Sequence, residues 1–150
     1  MRAVSHADLV QRAVLWLAGT MRCGIVLTEF ASAEPETPDA LGFTRGGDSI
    51  LVECKASRAD FLRDSRKPSR AYGAQGLGRL RYYLCAPGVI RFGTGELDLT
   101  EGWGLATVGA RVRVVVHPVP RPDDLRLVPE HRVLYSLGRR CLLGECWRPK

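Results

Sequence analysis

The feature that most constrains the fold is a two-stranded hairpin predicted between Pro38 and Lys55. The turn segment Arg45-Gly46-Gly47-Asp48 separates a short apolar run at 39–43 from a longer one at 49–54. Glycine readily adopts the positive φ angles of tight hairpin turns. The segment therefore predicts two antiparallel strands with a turn at the paired glycines.

The open end of this hairpin is predicted to gather charged side chains. Because side chains alternate between the two faces of a strand, Glu53 and Lys55 should lie on the face opposite Cys54. Folding the ribbon about the glycines places Asp39 opposite Glu53 or Cys54. Two carboxylates and an ammonium group would then converge, which indicates a divalent-metal site with a cation beside it.

The net charge of +6 is concentrated in the segment that follows the hairpin. Residues 55–81 include eight bases and two acids, whereas the rest of the chain is balanced. Residues 29–53 are acidic, with six acids and one base. The acidic segment could bind a cation, and the basic segment could bind a polyanion such as DNA. The alternative is that the basic side chains are simply solvated. The predicted DNA-binding residues are Arg58, Arg63, Arg66, Lys67, Arg70, Arg79 and Arg81.

The remaining patterns predict an α/β (α+β) chain with a mixed central sheet flanked by helices. A capping box at Ser5 begins a helix over 5–18, and a β-branched strand follows at 24–30. Ser57 is a favourable N-cap for a second helix, which Pro68 should end. Further strands are predicted at 79–86, 105–108 and 111–116, and a C-terminal helix at 129–143.

Two features between the second helix and the later strands bear on the predicted site. Segment 68–78 is rich in Gly, Pro and Arg and is predicted to be a mobile loop beside the hairpin mouth. Tyr82 and Tyr83 should lie on opposite faces of their strand. Packing is the favoured role of both, with base stacking as the alternative for one. Trp103 is predicted to be a packing anchor.

Length and cysteine usage are typical of one globular domain. The 150 residues suffice for a single core-forming domain over 1–150, in which 117–150 form a connector and the C-terminal helix. No apolar run has the length of a membrane span, and no signal peptide is recognised.

The five cysteines lack a framework spacing, which indicates free, mostly buried thiols in a reducing cytoplasm. Cys141, Cys146 and His131 lack the paired knuckles of a zinc site.

Several stretches of the chain resemble a known superfamily. Pro38-Asp39 and Glu53-Cys54-Lys55 match the motif of PD-(D/E)XK nucleases, and the order of helices and strands around them is similar. The run LVECKASRADFLRD resembles more specifically the MmcB-like DNA-repair endonucleases of bacteria and phages, as do RYYLCAPGVI and GWGLATV. The resemblance covers residues 6–116. It implies a restriction-endonuclease-like core and a metal-dependent DNA cleavage that leaves a 5′-phosphate and a 3′-hydroxyl.

The resemblance also implies roles for individual residues. Asp39 and Glu53 would ligate Mg²⁺ or Mn²⁺, hard ions that prefer oxygen, together with the backbone carbonyl of Cys54. Lys55 would orient the attacking water, help to deprotonate it, or stabilise charge on the phosphate. These residues form the predicted catalytic set.

The sequence leaves three points open: which further acid joins the metal site, whether the protein cleaves DNA or only binds it, and whether it forms a dimer. Glu29, near the end of its strand, is a candidate further acid for the metal site, with Glu36 as the competing candidate. His6, in the first turn of its helix, is assigned to the surface. A DNA-binding module without turnover is the alternative function. Nucleases of this fold often act as dimers, and a homodimer is therefore an open alternative for this chain.

Overall fold

The fold is organised by one six-stranded mixed sheet in a computed structural model that describes residues 3–91, 93–96 and 100–145. The strands are β1 (Cys23–Thr28), β2 (Ala40–Thr44), β3 (Ser49–Lys55), β4 (Leu80–Cys85), β5 (Gly104–Val108) and β6 (Val112–Val116). They lie side by side in chain order. The β3–β4 and β4–β5 pairs are parallel and the other three pairs are antiparallel. The predicted mixed α/β architecture is therefore confirmed.

Helices cover both faces of this sheet. Within the described residues they are α1 (His6–Gly19), α2 (Arg58–Ser65) and α3 (Leu127–Leu142). Leu9 and Leu17 of α1 pack with Val52 on one face. Phe61 of α2 and Val133 of α3 belong to the core on the other face. The sheet is therefore the middle layer of the fold, and no helix in this part of the chain is long and apolar enough to cross a membrane.

The first two helices begin where their caps predict. The Ser5 hydroxyl accepts the Asp8 N–H at 3.1 Å, and the Asp8 carboxylate accepts the Ser5 N–H at 3.1 Å. The Ser57 hydroxyl accepts the Asp60 N–H at 3.2 Å. Because Ser57 follows β3 almost directly, its cap fixes the start of α2 beside the open end of the hairpin.

The predicted hairpin is present, with Gly47 at φ +91° in its turn. Strands β2 and β3 pair from Phe43 opposite Ser49 to Ala40 opposite Val52. Strand β3 is buried along its whole length, since β2 and β4 flank it and helices cover its faces. Leu51 lies in the core on the α2 side of the sheet, whereas Val52 lies in the core on the α1 side. The predicted alternation of faces along β3 is therefore correct.

Segment 68–78 is held in place by two buried arginines, so the expectation of a mobile loop is wrong. Leu77 in this segment is fully buried. The guanidinium groups donate hydrogen bonds to backbone carbonyls, and these bonds offset the free-energy cost of burying the two cations. Arg81 donates to the carbonyls of Ser69, Arg70 and Ala71, and Arg121 to those of Tyr72, Ala74, Gly76, Leu77 and Gly78.

The aromatic residues of this region are packing residues. Tyr82 and Tyr83 lie on opposite faces of the sheet as predicted, and both are buried. The ring of Tyr83 stacks on Trp103 with centroids 4.5 Å apart. Base stacking by either tyrosine is therefore ruled out in this conformation, and the prediction that Trp103 anchors the core is confirmed.

Three of the described cysteines, Cys23, Cys54 and Cys85, are buried free thiols. Cys141, on α3, is exposed. Cys146 lies outside the described residues. The expectation of free, buried thiols is confirmed for Cys23, Cys54 and Cys85.

Candidate active site

A cavity of about 710 Å³ opens at the mouth of the hairpin. The three predicted catalytic residues, Asp39, Glu53 and Lys55, all line it, as does Cys54. Strands β2 and β3 supply these residues because their register brings the start of one strand to the end of the other. The structure therefore brings together the side chains that the sequence predicts to converge.

Hydrogen bonds fix the positions of these groups. The Cys54 N–H donates to Asp39 Oδ2 at 2.7 Å, so the aspartate is tied directly to β3. Lys55 Nζ lies 3.2 Å from Glu53 Oε2 and 3.2 Å from Asp64 Oδ1. The lysine ammonium group is thus held between two carboxylates, one from its own strand and one from α2.

A buried arginine completes the charged cluster. The Arg70 guanidinium is only 3% exposed and donates to both oxygens of Asp64, at 2.7 and 2.8 Å. Its Nη2 also lies 3.3 Å from Glu53 Oε1, and its Nη1 donates to the Glu36 carboxylate. Asp64 in turn accepts a hydrogen bond from the Tyr83 hydroxyl at 2.9 Å. The contacts join strands β3 and β4 and helix α2 through one connected network.

The cluster shifts the pKa values of its members in opposite directions. Burial raises the pKa of Glu53 to about 7; Arg70 and Lys55 oppose this shift, while Asp39 and Asp64 add to it. Burial also acts to raise the pKa of Asp64, but hydrogen bonds from Arg70 and the charges of Arg70 and Lys55 outweigh it. The pKa of Asp64 is therefore held well below its usual range. The two carboxylates differ because Arg70 hydrogen-bonds Asp64 through two nitrogens.

Lys55 remains a cation in this setting. Burial acts to lower the pKa of its ammonium group, but the neighbouring charges of Glu53 and Asp64 raise it above the ordinary value. A charged ammonium group is a donor and an electrostatic stabiliser, and it has no lone pair with which to accept a proton.

His6 and Glu29 lie at the rim of the cavity, next to Asp39. His6 Nε2 is 3.4 Å from Asp39 Oδ1 and 3.7 Å from Glu29 Oε1. One potential ligand atom from each of the three residues lies within 4.8 Å of the others. Glu29 is exposed and follows β1 with φ +45°, so it is beside Asp39 and not beside Glu53. Glu36, the competing candidate, lies inside the cavity but is paired with Arg70.

The predicted DNA-binding residues fall into two groups. Arg66 is exposed, and the side chains of Arg63 and Lys67 are 76% and 59% exposed at the cavity wall. Arg63 pairs with Asp60, and Lys67 lies 3.1 Å from Asp64. Arg58 is partly exposed and pairs with Glu96. These four residues are available to a ligand that approaches the cavity from the α2 side.

The structure corrects the expectation for Arg70 and Arg81, which are buried, and places Arg79 away from the cavity. Arg70 and Arg81 are 3% and 2% exposed, because one is enclosed by carboxylates and the other by backbone carbonyls. Arg79 pairs with Asp48 at 2.9 Å, beside the hairpin turn and at the opposite end of β3 from the cavity. None of these three guanidinium groups is placed to contact a phosphate at the cavity mouth.

Sequence reasoning missed the contribution of three residues to the cavity. His6 is exposed as predicted, but a residue in the first turn of a helix carries no local sign of a distant partner such as Asp39. Asp64 and Arg70 belong to a charged segment in which each acid or base looks solvated. Their partners lie on β3 and β4, so only the tertiary contacts reveal them. Asp64 lies seven residues, about two helical turns, after the N-cap of α2, and α2 begins beside the end of β3. This placement is the one local signal in the sequence that favours proximity to Lys55.

Comparison with known proteins supports the fold but gives no function. No protein-family model matches the chain, and no curated protein matches it. The chain is similar to a solved structure of the SPO1766 protein of unknown function from Silicibacter pomeroyi, with a TM-score of 0.62 and 19% sequence identity. The match covers 94% of this chain and 90% of that chain. At this identity the similarity shows a shared fold alone.

Proposed function

We propose that the protein is a metal-dependent DNA endonuclease of the PD-(D/E)XK type. In this proposal it acts in the cytoplasm, in DNA repair, recombination or phage DNA processing. One observation carries the proposal: Asp39, Glu53 and Lys55, the residues that match the motif, line a single cavity in which the lysine is held between two carboxylates.

The charge balance of the cavity fits a divalent ion. Four carboxylates at the cavity have side chains no more than 15% exposed, whereas only two cations there, Lys55 and Arg70, are as deeply enclosed. The carboxylates are those of Glu36, Asp39, Glu53 and Asp64. When all four are ionised, including Glu53 with its pKa raised to about 7, the excess of two negative charges matches one Mg²⁺ or Mn²⁺ ion. The donors are the hard oxygens that both ions prefer.

Asp39, Glu53 and the carbonyl of Cys54 would hold the ion in this proposal. Asp39 Oδ2 is occupied by the Cys54 N–H, which leaves Oδ1 facing the cavity rim. The ion would polarise the scissile phosphate and lower the pKa of a bound water. His6 lies 3.4 Å from Asp39 Oδ1 at the rim and is itself 3.7 Å from Glu29, so His6 is the group placed to influence that ligand directly.

Lys55 would then act on the phosphate and on the attacking water as a cation. Its ammonium group is held in the charged form by Glu53 and Asp64, both at 3.2 Å. A fixed positive charge stabilises negative charge that develops on the phosphate, and its N–H groups orient a water. Of the three roles that the resemblance allows, orientation and charge stabilisation therefore fit better than deprotonation.

A cleavage assay on defined DNA structures tests the proposal. The protein is incubated with end-labelled single-stranded, duplex and branched DNA in the presence of Mg²⁺, Mn²⁺ or EDTA. We expect products with a 5′-phosphate, formed with either ion and not with EDTA. Salt-sensitive binding without cleavage of any of these DNAs would instead favour a binding module.

Replacement of Arg66 and Lys67 by alanine is expected to weaken DNA binding without removing the site. Both side chains are exposed beside the cavity and are long enough to reach a phosphate. Loss of up to two phosphate contacts should reduce the slope of log K against log[salt] by about 1 to 2. Fluorescence anisotropy with labelled DNA at several salt concentrations measures this slope.

The matched control for that experiment is the double replacement of Arg22 and Arg45 by alanine. Both arginines are exposed at the opposite end of the sheet from the cavity, one just before β1 and one in the β2–β3 turn. The control removes the same number of charges, so its salt slope should stay close to that of the wild type. Equal losses in the two double variants would show that net charge, and not a surface beside the cavity, governs binding.

A further inference from the structure

We infer that Arg70 is a positioning residue that fixes the metal-binding and lysine side chains of the site, an inference that rests on the proposed function. Arg70 belongs to segment 68–78, outside the motif, and its side chain enters the cavity from the α2 side of the sheet. Its guanidinium contacts three carboxylates, and each belongs to a different part of the chain. No other described cation at the cavity contacts as many.

Each polar nitrogen of the guanidinium has a defined acceptor. Nε donates to Asp64 Oδ2 at 2.7 Å, and Nη2 donates to Asp64 Oδ1 at 2.8 Å and lies 3.3 Å from Glu53 Oε1. Nη1 donates to the Glu36 carboxylate. A planar fork with donors in fixed directions can serve these acceptors together, whereas a lysine ammonium is a single point of charge.

Arg70 and Lys55 together restrict the carboxylate of Glu53. Glu53 Oε1 faces Arg70 and Oε2 faces Lys55, so the plane of the carboxylate is set from two sides. Arg70 also orients Asp64, which holds the Lys55 ammonium group at 3.2 Å. One guanidinium thereby controls a proposed metal ligand directly and the proposed catalytic lysine through Asp64.

Arg70 is itself held rigidly. Its backbone carbonyl accepts hydrogen bonds from Trp103 Nε1 at 3.0 Å and from Arg81 Nη2 at 3.4 Å. Its guanidinium carbon lies 5.3 Å from the centroid of the Trp103 ring. The buried indole of Trp103 and the contacts of Arg81 with backbone carbonyls therefore hold segment 68–78 in place. This segment carries Arg70, the residue that we infer arranges the cavity.

Removal of the guanidinium leaves Glu36, Glu53 and Asp64 without their shared partner. Mutual repulsion of these buried carboxylates should move Glu53 away from Asp39 and loosen Lys55. Loss of a residue that orients metal ligands typically lowers metal affinity or activity by about 10- to 100-fold. We expect losses of this size in Arg70→Ala and, because an ammonium cannot reach all three acceptors, also in Arg70→Lys.

Three measurements on the full chain test the inference. Mn²⁺ binding is followed by electron paramagnetic resonance without DNA, and single-turnover cleavage is measured with Mn²⁺ and DNA. The side-chain environment of Lys55 is followed by NMR of protein labelled in its lysines, of which the chain has three, and the signal is assigned with Lys55→Met. We expect Arg70→Ala and Arg70→Lys to shift the Lys55 signal in the absence of metal, to weaken Mn²⁺ binding and to slow cleavage.

Rescue by guanidinium ion distinguishes positioning from a general packing role. Millimolar guanidinium should restore part of the Mn²⁺ affinity and cleavage of Arg70→Ala, because the truncated side chain leaves a space of the right shape that opens into the cavity. Arg81→Ala is the matched control: it also removes a buried arginine, but one that contacts carbonyls, and guanidinium should not restore it. Circular dichroism at the assay temperature identifies which variants are folded, and Arg70→Lys keeps the charge if Arg70→Ala is unfolded.

The inference and the proposed function fail in different ways. If the wild type neither binds Mn²⁺ nor cuts DNA, the proposed function is wrong, whereas the Lys55 NMR signal still reports on positioning. If folded Arg70→Lys shows the wild-type Lys55 signal, Mn²⁺ affinity and cleavage rate, the guanidinium fork does not position the site, and the inference is overturned.

Discussion

Replacing Asp39 or Lys55 with alanine is expected to abolish DNA cleavage, with a loss of at least about 10²- to 10³-fold in the single-turnover rate. Asp39→Ala removes a proposed metal ligand, and Lys55→Ala removes the fixed positive charge beside Glu53. The fold should persist in both variants, because the core on either face of the sheet is built from other residues. Cleavage with Mg²⁺ or Mn²⁺ is measured together with circular dichroism.

Asp48→Ala is the matched control for these two variants. Asp48 is an acid in the turn of the same hairpin, but its half-exposed side chain pairs with Arg79 at the far end of β3. It should cut at the wild-type rate. Wild-type cleavage by Asp39→Ala would show that the metal is not bound by this carboxylate, whereas a loss in Asp48→Ala as large as in Asp39→Ala would indicate general damage to the hairpin.

The hairpin and its site could be predicted because their causes are local. The glycine pair at 46–47 sets the turn, and alternation along β3 sets the face of each side chain. Once the turn is fixed, the register brings Asp39 to Cys54 with no information from the rest of the chain. The caps at Ser5 and Ser57 are also local in origin.

The functions of the arginines could not be predicted in the same way. Arg66 and Arg70 lie in the same basic segment, yet one is exposed and the other is buried among carboxylates. The difference depends on contacts between Arg70 and residues that are 17 and 34 positions away, Glu53 and Glu36. Arg81 is buried by the carbonyls of a segment that looks flexible from its composition. A run of basic residues in the sequence predicts that a surface is positively charged, but it does not predict which of those residues are buried.

The motif also leaves out residues of the site that only tertiary contacts reveal. Asp39, Glu53 and Lys55 occur within one hairpin, so the sequence identifies them. Asp64, by contrast, holds Lys55, Lys67 and Arg70 and also accepts the hydroxyl of Tyr83. Its importance follows from the number of its partners and not from any local pattern, which makes it the best position at which to test the stability of the cluster.

Asp64→Ala is expected to lower the free energy of unfolding by about 3–5 kcal/mol, as for other broken buried ion pairs. Its carboxylate is 3% exposed, and its loss leaves Arg70 without its bidentate partner and the Tyr83 hydroxyl without an acceptor. Urea denaturation at pH 7 without metal gives the difference from the wild type. Asp60→Ala is the matched control in the same helix, because Asp60 pairs with an exposed arginine and such pairs contribute about 0–1 kcal/mol.

The pH dependence of that difference tests its electrostatic origin. Arg70 and Lys55 hold the pKa of Asp64 below its ordinary value of 3.8 in the folded protein, in spite of burial. A lowered pKa contributes stability that is fully present above the ordinary value and is lost as the pH falls through the folded pKa. The difference between wild type and Asp64→Ala should therefore decrease below the ordinary value, whereas a change between pH 7 and about pH 5 reports Glu53, whose raised pKa depends in part on Asp64. A difference that is small at pH 7, or that does not decrease in acid, would show that the Asp64 carboxylate does not stabilise the cluster by its charge, since loss of packing alone does not depend on pH.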